Sequence, residues 1–324
     1  MDRLLAALRP DSFTLLILAT VGLASVLPAT GAAVDWLDLA VKASVMTLFF
    51  MHGARLAPEA VLQAIGHWRL QLTILAITFV LFPLLALAAA PLLGRVLDPT
   101  LYSGVLFLCC LPSTVQSSIA FTSMARGNVP AAACAASASN LLGIALTPLL
   151  LGLLLSRQGE VSLSAVGSIV LLLLVPFVAG QVARPWLGAW IGRRRLLLTT
   201  IDRGAILLML YSAFGKSVVG GVWLRISGVD LLAVVAVCVV LLALVLVLAV
   251  VAARRYGFAR ADEAAIVFCG SMKSLVTGMP MANVLFPGAQ AALLVIPLIV
   301  FHQVQLFACA VLARRYGITT REQA

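Results

Sequence analysis

Apolar runs of about 20 residues recur along the whole of this chain, and they constrain its fold more than any other feature. A helix of that length matches the hydrocarbon core of a bilayer, which is about 30 Å thick. Ten such runs are expected, at roughly 12–29, 36–54, 70–93, 101–124, 129–155, 161–182, 200–219, 227–252, 261–285 and 289–313. Composition agrees, since 63% of the 324 residues are hydrophobic and only 10% are charged, whereas soluble domains carry about 25% charged residues. These runs exclude a soluble globular protein and predict an all-α polytopic membrane protein.

The net charge of +10 does not indicate nucleic-acid binding, because the arginines form no single basic patch. They sit in short segments between apolar runs, as orientation signals do. With both termini cytoplasmic, sixteen arginines fall inside, among them Arg3, Arg9, Arg55, Arg126, Arg184, Arg203, Arg254, Arg260 and Arg314. Only Arg95, Arg157 and Arg225 fall outside, and Lys42, Lys216 and Lys273 lie in spans or at their ends. That bias supports ten spans with N and C termini inside. The first 33 residues imitate a signal peptide, but they read as a retained first span. With short loops and no large extramembrane domain, a bacterial inner membrane is the simplest setting.

All six cysteines lie in or beside apolar runs, with no CxxC and no Cys/His cluster, so they read as small buried hydrophobes. "GKS" at Gly215–Ser217 lacks the earlier glycine of a phosphate loop, because Leu210 stands there. No Ser/His/Asp arrangement, paired carboxylates or HExxH motif supports an enzyme. His52 and His67, near the ends of spans two and three, read as solvated, and Lys42 reads as snorkelling to the headgroups.

The spans divide near residue 158 into five and five, giving halves 1–158 and 159–324. An odd number of spans per half sends the second half into the membrane upside down, as in inverted-repeat transporters. Each half carries a polar interruption at the same ordinal position. Span four reads "VLFLCCLPSTVQSSIAF", with Pro112 followed by Ser113, Thr114, Gln116, Ser117 and Ser118. Span nine reads "AIVFCGSMKSLVTGM", with Ser271, Lys273 and Ser274 among Gly270, Gly278 and Pro280, which are read as its helix breakers. Freed backbone groups in hydrocarbon cost several kcal/mol, so such breaks persist only where protein or a watery cavity satisfies them. Ser137, Ser139 and Asn140 in span five add polar groups, as do His302, Gln303 and Gln305 in span ten. Asn140 and His302 either line a cavity or bridge helices.

The two interrupted stretches, "LPSTVQSSIAFTSMARGNVPAAACAASASNLLGIALTPLLLGLLL" and "FCGSMKSLVTGMPMANVLF", resemble the bile acid:sodium symporter superfamily, in its SBF-like branch. The resemblance implies ten transmembrane helices as two inverted five-helix repeats, folded into a panel and a core. It also implies that helices four and nine are discontinuous and cross near the midplane, and that core moves against panel during alternating access. Ser113, Thr114, Ser137, Ser139 and Asn140 fall where relatives place oxygen ligands for sodium. In the second crossing segment relatives use a glutamate and a glutamine, where this chain has Ser271, Met272, Lys273 and Ser274. None of the twelve acids falls at mid-membrane.

The resulting expectation is a secondary transporter of a small organic anion. Its substrate set is expected to be Ser113, Thr114, Gln116, Ser117, Asn140, Ser271, Lys273, Ser274, His302 and Gln303. A charge at a helix centre costs roughly 2.5–3.5 kcal/mol, so Lys273 needs a compensating role. Its ammonium and the half-helix N-termini are expected to hold a carboxylate or sulfate. Lys273 then either stands in for sodium as a constant cation or cycles its proton. The alternative is a regulatory or scaffolding membrane protein whose polar breaks serve packing. No cofactor beyond a sodium ion is expected, and the partners are the organic anion and the lipid bilayer, with no nucleic acid and no obligate protein.

Overall fold

The computed structural model describes residues 12–55, 67–155, 163–221, 227–286 and 291–322. Arg3, Arg9, Arg157 and Arg225 of the charge count, the start of the signal-like segment and the repeat boundary near residue 158 lie outside the described residues. Within them all regular structure is helical: α1 (Ser12–Val26), α2 (Ala32–Arg55), α3 (Trp68–Ala88), α4 (Ala90–Val96), α5 (Pro99–Cys110), α6 (Gln116–Met124) and α7 (Val129–Leu155). After these come α8 (Leu163–Arg193), α9 (Arg195–Val219), α10 (Gly228–Arg255), α11 (Arg260–Ser271), α12 (Leu275–Leu285) and α13 (Ala291–Glu322).

Among the described residues, six helical segments are long and apolar enough to cross a bilayer: Trp68–Ala88, Val129–Leu154, Leu196–Val219, Gly228–Arg255, Arg260–Leu285 and Ala291–Ile318. Burial separates one of them from the rest. An 18-residue stretch of Arg260–Leu285 is 94% buried, against 33% to 50% for stretches of the same length in the other five. It is therefore a segment enclosed by protein, and its backbone groups must find protein partners. The expected third span of 70–93 divides, because Pro91 starts a separate short helix at Ala90.

The chain forms two compact units, each assembled from separate stretches. The first comprises Met1–Leu56, Pro148–Ser227 and Gly278–Val295. Its tightest packing is between α2 and α8. A Cβ on Gly53 would lie 2.0 Å from the Phe177 carbonyl oxygen, and one on Gly180 would lie 2.0 Å from that of Phe50. Each helix thus offers a glycine three residues after a phenylalanine to the other's backbone, the small-residue contact by which membrane helices approach closely. Met51, Ala54, Ile191 and Leu198 form a buried apolar cluster in this unit. Lys216, the lysine of "GKS", pairs with Asp38, and the Tyr211 hydroxyl donates to Leu27 O at 2.6 Å. His52 is half-buried, with Nδ1 2.8 Å from Leu48 O, so its ring is bound to its own helix rather than solvated.

The second unit comprises Ala57–Thr147, Gly228–Thr277 and Ile296–Ala324. All six cysteines of the chain are free and buried. At one end of this unit Glu263 is buried, 4% exposed, and holds three partners. Arg254 and Arg260 form ion pairs with it, and the Tyr316 hydroxyl donates to Oε1 at 2.7 Å. The Arg260 guanidinium also stacks 3.9 Å over the Tyr316 ring. The Asn128 amide donates to Asp262 at 2.8 Å. These bonds tie the starts of α7 and α11 to the end of α13, and they set where α11 enters the interior.

The reciprocal glycine contact gives a direct test. Gly53→Ala and Gly180→Ala each force backbones apart, and such overpacking costs about 1–3 kcal/mol. Gly22→Ala, whose added Cβ would meet nothing within 4 Å, is the control. Thermal unfolding in detergent is expected to show a lower midpoint for the first two variants and no loss for the third.

Candidate functional site

The two polar interruptions are real breaks, and they meet. In the first, α5 ends at Cys110 and Leu111 is extended, with φ −72° and ψ 152°, the conformation a following proline favours. Helix α6 starts five residues on, at Gln116. In the second, α11 ends at Ser271, Met272 is extended at φ −92° and ψ 144°, and α12 starts at Leu275. The Ser274 N–H donates to Pro112 O at 3.0 Å, joining the breaks backbone to backbone. Close approach here also needs Gly143, where a Cβ would lie 2.7 Å from the Pro112 ring.

A helix broken in a buried place must find other partners for its peptide groups, and these can be traced one by one. The Cys109 and Leu111 carbonyls both accept from Lys273 Nζ, at 2.8 Å each. The Cys110 carbonyl accepts from the Thr147 hydroxyl at 2.8 Å. The Pro112 carbonyl takes Ser274 N–H, and the Ser113 carbonyl takes the Asn140 amide at 2.6 Å. The Ser113 N–H donates to Ser139 Oγ at 3.0 Å. Every carbonyl from Cys109 to Ser113 therefore has a donor.

Lys273 is the centre of this arrangement. It is fully buried, and besides Cys109 O and Leu111 O its Nζ donates to Thr78 O at 2.8 Å. The same nitrogen lies 4.1 Å from the centroid of the Phe82 ring, within cation–π range. Three acceptors require three N–H donors, which only the ammonium form supplies. With all three engaged, the ammonium has no N–H left for a carboxylate or sulfate in this conformation. The geometry thus departs from the expected direct contact with an anion, because backbone carbonyls occupy the donors.

Thr78 has a carbonyl to offer because of a local irregularity. Residues Ile77–Leu81 form one π-helical turn, in which the Phe82 N–H reaches back to Ile77 O. The next residue, Pro83, has no N–H to give Thr78. Pro83 and the π-turn together leave the Thr78 carbonyl pointing out of the helix ladder, and π-turns often mark functional positions.

The backbone of Lys273 is held as firmly as its side chain. Gln305 Oε1 accepts from Lys273 N–H at 2.8 Å, and Gln305 Nε2 donates to Lys273 O at 2.9 Å. His302 Nδ1 lies 3.0 Å from Gln305 Nε2. The polar chain reaching Lys273 from α13 thus runs through Gln305 and His302, while Gln303 is half-buried beside them. The sequence marks Gln305 only as a polar residue of span ten, because a paired brace on a buried peptide leaves no trace beyond one glutamine.

The remaining expected residues sort by burial. The Ser274 hydroxyl donates to Thr277 Oγ1 at 2.9 Å and accepts from Thr277 N–H at 3.1 Å, capping α12. The Thr277 hydroxyl continues to Asn140 Oδ1 at 2.7 Å, and Asn140 Nδ2 also donates to Ala136 O. Asn140 therefore bridges helices. The Ser271 hydroxyl donates back to Val267 O at 2.6 Å. Thr114 is buried, Ser117 and Ser137 are half-buried, and Gln116 is exposed, so Gln116 stands apart from the buried network. Gly270 is helical and packs 3.1 Å (for an added Cβ) from Ile77, while Gly278 and Pro280 lie inside α12. The break is therefore not made by these three residues. It is held by Gln305 on the Lys273 peptide and by Pro112 O on the Ser274 N–H, while the Lys273 side chain reaches Thr78, Cys109 and Leu111.

Gln305→Leu removes both partners of a buried peptide. An unpaired buried group costs about 1–3 kcal/mol, so a clear fall in the thermal midpoint is expected. Gln116→Ala, at an exposed position, is expected to move stability by less than about 0.5 kcal/mol. Equal effects of the two variants in a thermal unfolding series would contradict this geometry.

Comparison with known proteins identifies the family. The model of the SBF-like CPA transporter family matches residues 11–317. The chain is 51% identical over 313 residues to a protein of Escherichia coli strain K12 named "Putative symporter YfeH", covering 96% of this chain and 94% of that one. It is 53% identical over 310 residues to an uncharacterized protein of Pseudomonas aeruginosa, covering 95% and 93%. It is 30% identical over 321 residues to the sodium/bile acid cotransporter 7 of Mus musculus, covering 96% and 93%. With its membrane-crossing helices, the chain is an integral membrane protein that belongs to the SBF-like CPA transporter family, a family of transporters and not of enzymes.

Proposed function

We propose that this protein is a secondary active transporter that moves a small organic anion across the cell membrane by alternating access. The single observation that carries the reading is the meeting of two broken helices in one buried polar network. Broken helices that meet inside a membrane protein bring half-helix ends and backbone groups outside the helix ladder together, the groups from which transporter sites are built. A protein that needed only rigidity would be better served by continuous helices, whose peptide groups are satisfied internally.

The reading draws further support from how the two units are drawn from the chain. One takes Met1–Leu56, Pro148–Ser227 and Gly278–Val295, and the other takes Ala57–Thr147, Gly228–Thr277 and Ile296–Ala324. On the ten-span reading, the first holds spans one, two, six and seven with the ends of five and nine and the start of ten. The second holds three, four, eight and the rest of five, nine and ten. The spans of each unit, whole or for the most part, come from matching ordinal positions of the two halves, which fits two inverted five-span repeats folded as panel and core. The arginine bias fits cytoplasmic termini and an inner-membrane setting.

The anion is expected at polar groups that the buried network leaves accessible. Gln116 and Ser117 open α6, with Thr114 buried just before them, at a helix N-terminus that favours negative charge. Coupling is to a cation. The relatives' names, symporter and sodium/bile acid cotransporter, favour sodium, whose oxygen ligands would come from Ser113, Thr114, Ser137, Ser139 and Asn140. Ser139 Oγ and Asn140 Oδ1 already accept protein hydrogen bonds, so sodium entry there requires these bonds to yield. Lys273 supplies the other route, by proton release and uptake at its ammonium.

Uptake into proteoliposomes from a broad organic-anion mixture, under separate sodium and proton gradients, tests this. Accumulation under at least one gradient is expected, with at least a tenfold lower initial rate in Lys273→Gln. Absence of accumulation of any anion under either gradient would favour a regulatory or scaffolding protein instead.

A further inference from the structure

We infer that the carbonyls of Thr78, Cys109 and Leu111 and the ring of Phe82 form a monovalent-cation cage, specific for a primary ammonium group, whose ion is covalently attached to the protein as Lys273. This goes beyond the transport reading and stands or falls without it, since it concerns what holds the two breaks together.

The cage has the features of a binding site and not those of an incidental salt link. Its three oxygens are neutral backbone acceptors, each 2.8 Å from the nitrogen, and come from two separate helices. Its fourth wall is an aromatic face at 4.1 Å, the surface that best tolerates a cation without an anion. Among the described residues no carboxylate pairs with Lys273, and Glu263, the buried acid on the same helical segment, is committed to Arg254, Arg260 and Tyr316. The oxygens are preset by structure that does not depend on the lysine. Pro83 and the π-turn free Thr78 O, and Pro112 breaks the helix that would otherwise use Cys109 O and Leu111 O. The Thr78 hydroxyl is also buried without a hydrogen-bond partner.

Attachment has a mechanical consequence. A diffusible ion must be recaptured from water each time the breaks re-form, whereas a tethered ammonium is present at a high effective concentration. The chain therefore keeps its breaks together independently of the external salt, and the cage shows itself only when the tether is cut.

Lys273→Ala removes the three carbons and the nitrogen of n-propylammonium, so that cation is the probe. Membranes holding Lys273→Ala are solubilised with n-propylammonium chloride, n-propanol or sodium chloride at equal concentration, and the folded fraction is read by size-exclusion chromatography and thermal unfolding. The cage predicts that n-propylammonium restores a monodisperse peak and raises the midpoint in a saturable manner, while n-propanol and sodium chloride do not. Lys273→Met, which fills the same space without a charge, is expected to gain nothing from n-propylammonium. Equal rescue by n-propanol would mean that only volume matters, and would overturn the proposal. So would a variant that no n-propylammonium concentration restores, including one that never yields a folded peak.

Discussion

The grip of one ammonium on three peptide carbonyls underlies the rest of this structure. Two helices are interrupted in the protein's interior, where each unpaired carbonyl carries a desolvation cost. Lys273 serves three of those carbonyls at once, two from the first break and one from the π-turn of α3. A neutral donor such as serine could serve one. The charge matters as well, because a cation strengthens hydrogen bonds to carbonyls about twofold over neutral donors. The cost of burying the lysine and the cost of breaking the helices therefore offset each other.

Around that centre the supporting bonds form a closed set. Gln305 braces the Lys273 peptide, Asn140 and Ser139 brace Ser113, and Thr147 takes Cys110 O. Several of these braces act on backbone and not on side chains, so they fix the course of the chain through each break. Such a network has few intermediate arrangements, since moving one segment removes donors from several carbonyls together. On the transporter reading proposed above, such a network would act as the element that switches between discrete states, because small shifts in well-packed networks tend to resolve into such states.

Much of this was legible in the sequence, and the limits have physical causes. The apolar runs marked the helices because hydrophobic length is a bulk property of each segment. Pro112 marked the first break because proline acts on its own helix. Lys273 was conspicuous because a lone charge stands out in an apolar run. Its partners were not, since backbone carbonyls carry no residue identity. The role of Pro83 was hidden for the same reason: its effect is a freed carbonyl at Thr78, visible only where α3 approaches the second break. Gly278 and Pro280 misled, because local helix-breaking tendency was overridden by packing, and both lie within α12. Gly53 and Gly180 were silent until the facing backbones were known. Glu263 counted as an acid near a span end, yet it is buried through Tyr316, 53 residues away.

The central claim, a buried ammonium held by backbone carbonyls, is open to direct observation because the chain has only three lysines, Lys42, Lys216 and Lys273. Nitrogen-15 labelling of the lysine side chains, followed by NMR of the protein in detergent micelles, yields at most three ammonium signals. Lys42 is exposed, and Lys216 is paired with Asp38 in a partly solvated site, so their protons exchange rapidly with water. The account predicts one further ammonium signal, protected from exchange and absent in Lys273→Met. A Lys273 signal with the shift of a neutral amine, or one that exchanges as fast as Lys42, would contradict it.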